Sequence, residues 1–363
     1  MKKMRSGITT GACAAAAAKA ATLMLGGQSV NEVEIAAPGA LLTIPIVAVG
    51  MTNGGAYAEV RKDAGDDPDV THGCIIRAEV MPLLYAAIEI DGGEGIGRVT
   101  KPGLAIAVGE AAINPVPRKM IGSAVREVLA HSPGARVVIT VPGGEVLAQK
   151  TLNSVLGIEG GLSIIGTTGI VEPMSEERFK SSLTPQIDVV KALGHNEVVF
   201  VPGRIGEEIA KRHCGLPSDV VVQTSNFVGH MLEYAAQKAF DSVLIIGHPG
   251  KLVKLAAGIF HTHNRMADAR METLAAYAAA AGASVQNVRD IMNCVTTDAA
   301  MTIIDDIGLS HIYVQIAVRA SERAERFVYG ALKVGTVMAT LDGRILGMDD
   351  NAGLIGGRLQ WRL

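Results

Sequence analysis

GLSIIGTTGIVEP, residues 161–173, is the stretch on which the fold reading turns. Its apolar run ends in Gly166-Thr167-Thr168-Gly169, resumes at Ile170-Val171 and stops at Glu172-Pro173. A β-branched run closed by glycine and threonine reads as a buried strand ending in a loop that a ligand can approach closely. VVFVPGRIG (residues 198–206) and VLIIGHPGK (residues 243–251) repeat that form, with Gly203 and then Gly247 and Gly250 at their ends. Glycines in such places also make plain tight turns. Three in series point to an open α/β sheet, in which ligands bind in the crevice outside the carboxyl ends of the strands.

Working outward, strands alternate with helices from about residue 137. VVITV, LSIIG, a helix across 176–193, VVFVP, a helix across 206–214, VVVQT, a helix near 227–239 and VLIIG follow one another. That alternation predicts a parallel sheet with crossover helices. Helices are expected beyond it near 268–281, 285–306 and 313–332, and TVMATLDGRILGM predicts a hairpin turning at Asp342-Gly343. Upstream, Thr9 or Thr10 can cap a helix over CAAAAAKAATLML that stops at Gly26-Gly27. EVEIAA, LLTIPIVAVG and AYAEVRKDA read as short strands, and a helix is expected over 117–131, broken at Pro133-Gly134. The expected fold is therefore two domains: an α+β domain over residues 1–136, then an open, mainly parallel α/β sheet domain over 137–363 that carries the C-terminal helices and hairpin.

At 363 residues the chain has room for both, and 48% hydrophobic against 19% charged residues makes it core-rich. A net charge of −3 gives no basic field and 4% aromatics few stacking platforms, so nucleic acid is not an expected partner. No apolar run reaches the length of a membrane span. The start MKKMRSGITTGACAAAAA mimics a short signal peptide, but it lacks a leucine-rich core and Lys19 interrupts it. Cys13, Cys74, Cys214 and Cys294 form no CxxC pair and no disulfide framework, so a reduced, cytoplasmic protein is expected.

RKDAGDDPDVTHG (residues 61–73) holds Asp63, Asp66, Asp67 and Asp69. Either it is a solvated turn around Gly65 and Pro68, or its carboxylates serve a cation or a proton transfer; it lacks the EF-hand frame. DGGEGIGRVTKPGL (residues 91–104) resembles a dinucleotide fingerprint without the strand–helix frame. It reads instead as a flexible loop delivering Arg98 and Lys101 to an anionic ligand, with Arg118 and Lys119 added by NPVPRKM (residues 114–120). Ordinary surface charge is the alternative for each.

GHPGK (residues 247–251) is too short for a nucleotide P-loop. Amides opening the next helix are expected to bind a carboxylate beside Lys251 and Lys254. His248 stands at a strand end, where an imidazole can titrate or simply hold the loop. His261 and His263 alternate, but a metal site would need a third ligand such as His248 or Asp268, and no protein-bound metal is expected. Cys13, beside a helix N-terminus, is either a thiol of lowered pKa or a packed small residue.

TTGACAAAAAKAA, KDAGDDPDVTHG, GEGIGRVTKPGL, AINPVPRKMI, KTLNSVLGIEGGLSIIGTTGIVEPMS, SNFVGHML and IGHPGKLVKLAAGIFHTHNRMADAR occur in this order. Together they resemble the cobalt-precorrin-5B C1-methyltransferase family (CbiD) of cobalamin biosynthesis, from about Ser6 to about Gly282. One departure is Ala12, where the resemblance leads one to expect Thr, so no catalytic role is rested on that position. The resemblance implies methyl transfer from S-adenosylmethionine to ring carbon C1 of cobalt-precorrin-5B, giving cobalt-precorrin-6A, with cobalt entering only inside the substrate. A corrin precursor carries many acetate and propionate groups, which would explain basic residues in the loops of a mildly acidic protein. The sulfonium donor needs no protein nucleophile, in keeping with the lack of a Gly-x-Ser-x-Gly elbow.

On this reading Gly166, Thr167, Thr168, Gly169, Gly203, Gly247 and Gly250 contact the donor, because they end successive strands of one expected sheet. Arg98, Lys101, Arg118, Lys119 and Lys251 meet substrate carboxylates, and His248, Asp63 and Asp66 are the candidates for proton management. Two other classes stay open: a non-catalytic tetrapyrrole carrier, and a nucleotide-dependent ligase using GHPGK. A homo-oligomer and transient contacts with other enzymes of the pathway also stay open.

Overall fold

The computed structural model describes residues 4–129 and 132–362, and the chain divides into two compact units, Met1–Glu176 and Glu177–Leu363. In the first, β1 (Gly7–Ile8) leads into α1 (Thr10–Leu25). The Oγ1 of Thr9 accepts the amide of Ala12 at 3.2 Å and caps α1 as the sequence predicts. Every residue from Thr10 to Thr22 is buried. A helix apolar all round belongs inside, and its alanines let neighbours approach closely. Lys19, the one cation in that run, donates to Glu34 O at 2.9 Å and to Glu127 Oε1 at 2.7 Å.

The remaining elements of this unit are β2 (Glu32–Ala37), β3 (Ala40–Pro45), β4 (Ala48–Thr52), β5 (Gly55–Arg61), β6 (Ile75–Leu83), β7 (Ile88–Gly92), β8 (Arg98–Val99), α2 (Pro115–Val128), β9 (Gly134–Thr140), α3 (Gly144–Ala148), β10 (Ile158–Glu159) and β11 (Ile170–Val171). The main sheet runs β4-β5-β6-β9-β7, antiparallel except for β7 beside β9. Alternation on β5 and β6 buries Ala58, Val60, Ile76, Ala78 and Val80 in one core with α1. The expected helix over 117–131 is α2; residues 130 and 131 lie outside the described residues.

Two expectations are corrected here. VVITV does not open the second unit: it is β9, in the interior of the first unit's sheet, so the division falls at 176/177 rather than 136/137. LSIIG is not a strand of a parallel sheet but forms isolated bridges, Leu162 to Ile96 and Ile164 to Ile113, and β11 pairs with β1.

The second unit comprises α4 (Glu176–Leu183), α5 (Pro185–Ala192), β12 (Glu197–Val201), α6 (Arg204–Glu208), a π-helical turn (Ile209–His213), β13 (Val221–Gln223), α7 (Val228–Gln237), β14 (Ser242–Gly247), α8 (Pro249–Ala256), α9 (Arg270–Ala280), α10 (Val285–Met292), α11 (Thr297–Asp306), α12 (Ile312–Phe327), β15 (Lys333–Ala339), β16 (Ile345–Met348) and α13 (Asp350–Arg358). The expected 176–193 helix breaks where Pro185 starts α5. Its sheet runs β13-β12-β14-β15-β16, parallel except for the last pair. Counted from β12 this is the order 2-1-3-4-5 of a doubly wound sheet. One face buries Val199, Val201, Leu244, Ile246, Val337 and Ala339 with Ile209 and Ile355. On the other face α12 is joined by the hydrogen bond from Ser321 to Thr336 at 2.8 Å. The hairpin at Asp342-Gly343 forms as expected, and α13, which the sequence reading omitted, follows it. Among the described residues no helix is long and apolar enough to cross a membrane.

Candidate functional site

The connection after β12 leads to β13 on one flank, while the one after β14 leads to β15 on the other. The carboxyl ends of β12 and β14 therefore flank the point where strand order reverses, the usual ligand position in such sheets. Pro202-Gly203 and Gly247-His248 lie there. Gly203 is extended, at φ 167°, and a Cβ on it would meet no atom of the described residues within 4 Å. A Cβ on Gly247 would lie 3.1 Å from Cδ of Pro202, so these two loops abut.

His248 caps α8. Its Nδ1 accepts the Gly250 amide at 3.1 Å, which leaves the proton on Nε2 to be donated to Asp298 Oδ1 at 3.2 Å. Both ring nitrogens are thus engaged, and the residue ties α8 to the first turn of α11. The leading amide of α8 is accordingly spent on His248, not left open for a ligand carboxylate as the sequence suggested. Lys251 donates from Nζ to Pro202 O at 2.9 Å and to Ser225 O at 3.5 Å, bracing the loops after β12 and β13. Burial, helped by the charge of Lys254, lowers its pKa. Ser225 itself stands at φ 53°, unusual for a residue with a side chain. Among the described residues Thr297 Oγ1 is buried without a hydrogen-bond partner, and it lies 3.5 Å from where a Cβ on Gly250 would stand. Thr297, Asp298 and Ser225 were missed by the sequence reading. Only the Thr-Thr-Asp start of α11, a recognisable helix opening, could have flagged the first two.

Gly166, Thr167, Thr168 and Gly169 belong to the first unit and end no strand of this sheet. They close on the start of α1: Thr9 N donates to Gly169 O at 3.0 Å and Gly11 N to Ile165 O at 2.9 Å. Gly166 has φ 134°, and a Cβ there would stand 2.3 Å from Thr9 Oγ1. Contrary to the expectation from sequence, these residues share no sheet with Gly203 and Gly247.

The aspartate loop is anchored on every carboxylate. Asp63 chelates the Arg5 guanidinium and accepts the Gly65 amide at 2.9 Å. Asp66 accepts the Arg5 amide at 2.6 Å and Asp67 the Met174 amide at 2.9 Å. Asp69 binds the ammonium of the buried Lys62 at 2.6 Å. The Arg5 hydrogen bond holds Asp63 down at about 2, which makes it a weak base. Burial pushes the Cys13 thiol up, so Cys13 is the packed small residue and not a lowered thiol.

Arg98 and Arg118 converge on the end of β7. Arg98 pairs with Asp91 at 3.1 Å and Arg118 donates to Ile90 O at 2.7 Å. Lys101 lies elsewhere, against Gly157, and Lys119 is exposed on α2. His261 and His263 have ring centroids 6.4 Å apart, and among the described residues no group of His, Cys, Asp and Glu could hold a metal ion.

Comparison with known proteins agrees with the motif reading. The CbiD family model matches residues 1–173 and the model of the CbiD C-terminal domain matches 261–350. A cobalt-precorrin-5B C(1)-methyltransferase of Moorella thermoacetica is 49% identical over 98% of this chain and 98% of its own length. Those of Desulfitobacterium hafniense and Photorhabdus laumondii are 49% and 46% identical over 97% and 95% of this chain, and 92% and 93% of their own. The crystal structure of a cobalamin biosynthesis protein (cbiD) from Archaeoglobus fulgidus is 30% identical, covering 74% of this chain and 84% of that one, with a TM-score of 0.40. With relatives this similar along nearly its whole length, the chain belongs to the CbiD family.

Proposed function

We propose that the protein methylates C1 of cobalt-precorrin-5B with S-adenosylmethionine as donor, giving cobalt-precorrin-6A. The observation that carries the donor's placement is the strand-order reversal between β12 and β14, with the open wall at Gly203 and the unpartnered Thr297 hydroxyl beside α8. Space where a side chain would project and a buried hydroxyl without a partner both fit a bound polar molecule. When bound, the donor supplies an electrophilic methyl on a sulfonium. The protein's part is alignment and exclusion of water. Gly203 and Gly247 form the wall, Lys251 fixes the two loops that bear it, and His248 with Asp298 sets the 247–250 turn. Arg98 and Arg118 offer guanidinium edges to acceptor carboxylates. Asp63 and Asp66 act as anchors of the N-terminal segment on this account, and Gly166 to Gly169 as its packing partners.

A thermal-shift screen tests the reading against the carrier and ligase alternatives. Stabilisation by S-adenosylhomocysteine and by a corrinoid supports it. Stabilisation by a corrinoid alone would favour a carrier, and by ATP–Mg²⁺ a ligase.

A further inference from the structure

The HTHNRMADAR stretch, residues 261–270, has no part in the site just described, yet a costly device holds it in place. Lys254 on α8 has a fully buried side chain. Its ammonium donates to Thr262 O at 3.1 Å, Asn264 Oδ1 at 2.6 Å and Ala267 O at 3.0 Å. An ammonium has three donors, and all three are spent on this one loop. Asp268, the nearest carboxylate at 4.0 Å, is itself clamped by Arg270 at 2.7 Å. The loop is also tied to the segment after β13, since Thr262 N donates to Asn226 O at 2.9 Å.

Residues 263–266 are nevertheless all exposed. A buried charge is retained at a desolvation cost, and here what it orders is a run of surface residues rather than a core. His263 Nδ1 accepts the Arg265 amide at 3.1 Å, so the ring proton sits on Nε2. The Arg265 guanidinium has no partner among the described residues. The outward face of the loop therefore presents an imidazole N–H and a planar guanidinium fork, with no acidic side chain at 263–266 to neutralise them.

We propose that residues 262–267 form a carboxylate-reading loop of this enzyme, with Arg265 and His263 Nε2–H as its donors and Lys254 as the positioning residue that sets it. The inference rests on the methyltransferase reading for the identity of the ligand. Carboxylates occur on the corrinoid and on the methionine end of the donor, so both are probed. Calorimetry on the full chain would use cobyrinic acid, cobinamide (whose peripheral carboxyls are amidated) and S-adenosylhomocysteine, with wild type, Arg265→Ala, Lys254→Met and the double variant.

Arg265→Ala is expected to weaken either cobyrinic acid or S-adenosylhomocysteine about tenfold or more, the loss of one charge-assisted contact, and which one names the source. Cobinamide affinity should not move. Lys254→Met should weaken the same ligand, and the double variant should be no worse than Arg265→Ala alone, because both act through one contact. Wild-type affinity for both carboxylate ligands in Arg265→Ala would overturn the proposal. Additive losses would also overturn it, since Lys254 would then be stabilising the fold only. Should Lys254→Met fail to fold, the exposed Arg265→Ala still decides the matter. Wild type binding neither probe would sink the methyltransferase reading itself and this loop's role with it.

Discussion

Gly166 and Gly203 look alike in the sequence, each a glycine closing an apolar run, yet the structure assigns them opposite sensitivities. At Gly166 an alanine Cβ would stand 2.3 Å from Thr9 Oγ1, and the backbone is at φ 134°. Thr9 must then turn away from the Ala12 amide that it caps, a loss of about 1 kcal/mol. The strained backbone adds roughly 1–3 kcal/mol. The total, about 2–4 kcal/mol, falls on the helix at the centre of the first unit's core, and for a unit of this size it lowers Tm by roughly 5–15 °C. At Gly203 the backbone is already extended and the added atoms enter open space. Gly203→Val should therefore change stability by less than about 0.5 kcal/mol. It should weaken S-adenosylhomocysteine by about tenfold or more, ~1.4 kcal/mol, by filling the donor's wall. Circular dichroism melting and calorimetry on both variants give the full comparison. A Gly166→Ala protein of unchanged Tm with weakened S-adenosylhomocysteine binding would refute the packing argument. A stable Gly203→Val protein with wild-type affinity would refute the donor's placement.

Three further outcomes are expected. Arg98→Ala should raise KM for the corrinoid with little change for the methyl donor; because its partner Asp91 is a surface carboxylate, stability should fall by no more than about 0.5 kcal/mol, and equal loss of both affinities would contradict the role. His248→Ala should cost about 1 kcal/mol through the lost cap, whereas His248→Asn restores an acceptor and most of the stability; a 10²-fold or greater fall in kcat for the asparagine variant, with the neutral pH–rate limb abolished, would instead make the imidazole a base. Asp63 and Asp268 are both held at about 2 by their arginine partners, so the stability they contribute is present above about pH 4 and is lost as pH falls toward 2; Asp63→Asn should flatten that acid limb in urea unfolding, and an unaltered limb would show that the Arg5 pair contributes nothing.

Much of the molecule is legible from local signals. The capped alanine helix, the alternation of strand and helix from residue 197 to 256, the Asp342-Gly343 turn and the long family motifs all rest on residues near one another in sequence. Capping, periodicity and turn chemistry are local, so one chain suffices to read them. What tertiary structure alone decided is partnership across the chain. β9 is inserted between β6 and β7 although it lies more than forty residues beyond β7, and its run of apolar residues carries no mark of which sheet it joins. The 162–165 run has the composition of a strand, but its backbone bridges the loop residues Ile96 and Ile113 and, at Ile165, binds the start of α1. Lys251 and Lys254, one turn apart on a helix, read in the sequence as cations beside a ligand carboxylate. Their acceptors are mostly carbonyl oxygens of distant loops, and a carbonyl belongs to every residue, so no side-chain pattern could announce that one lysine braces two strand ends and the other a surface loop.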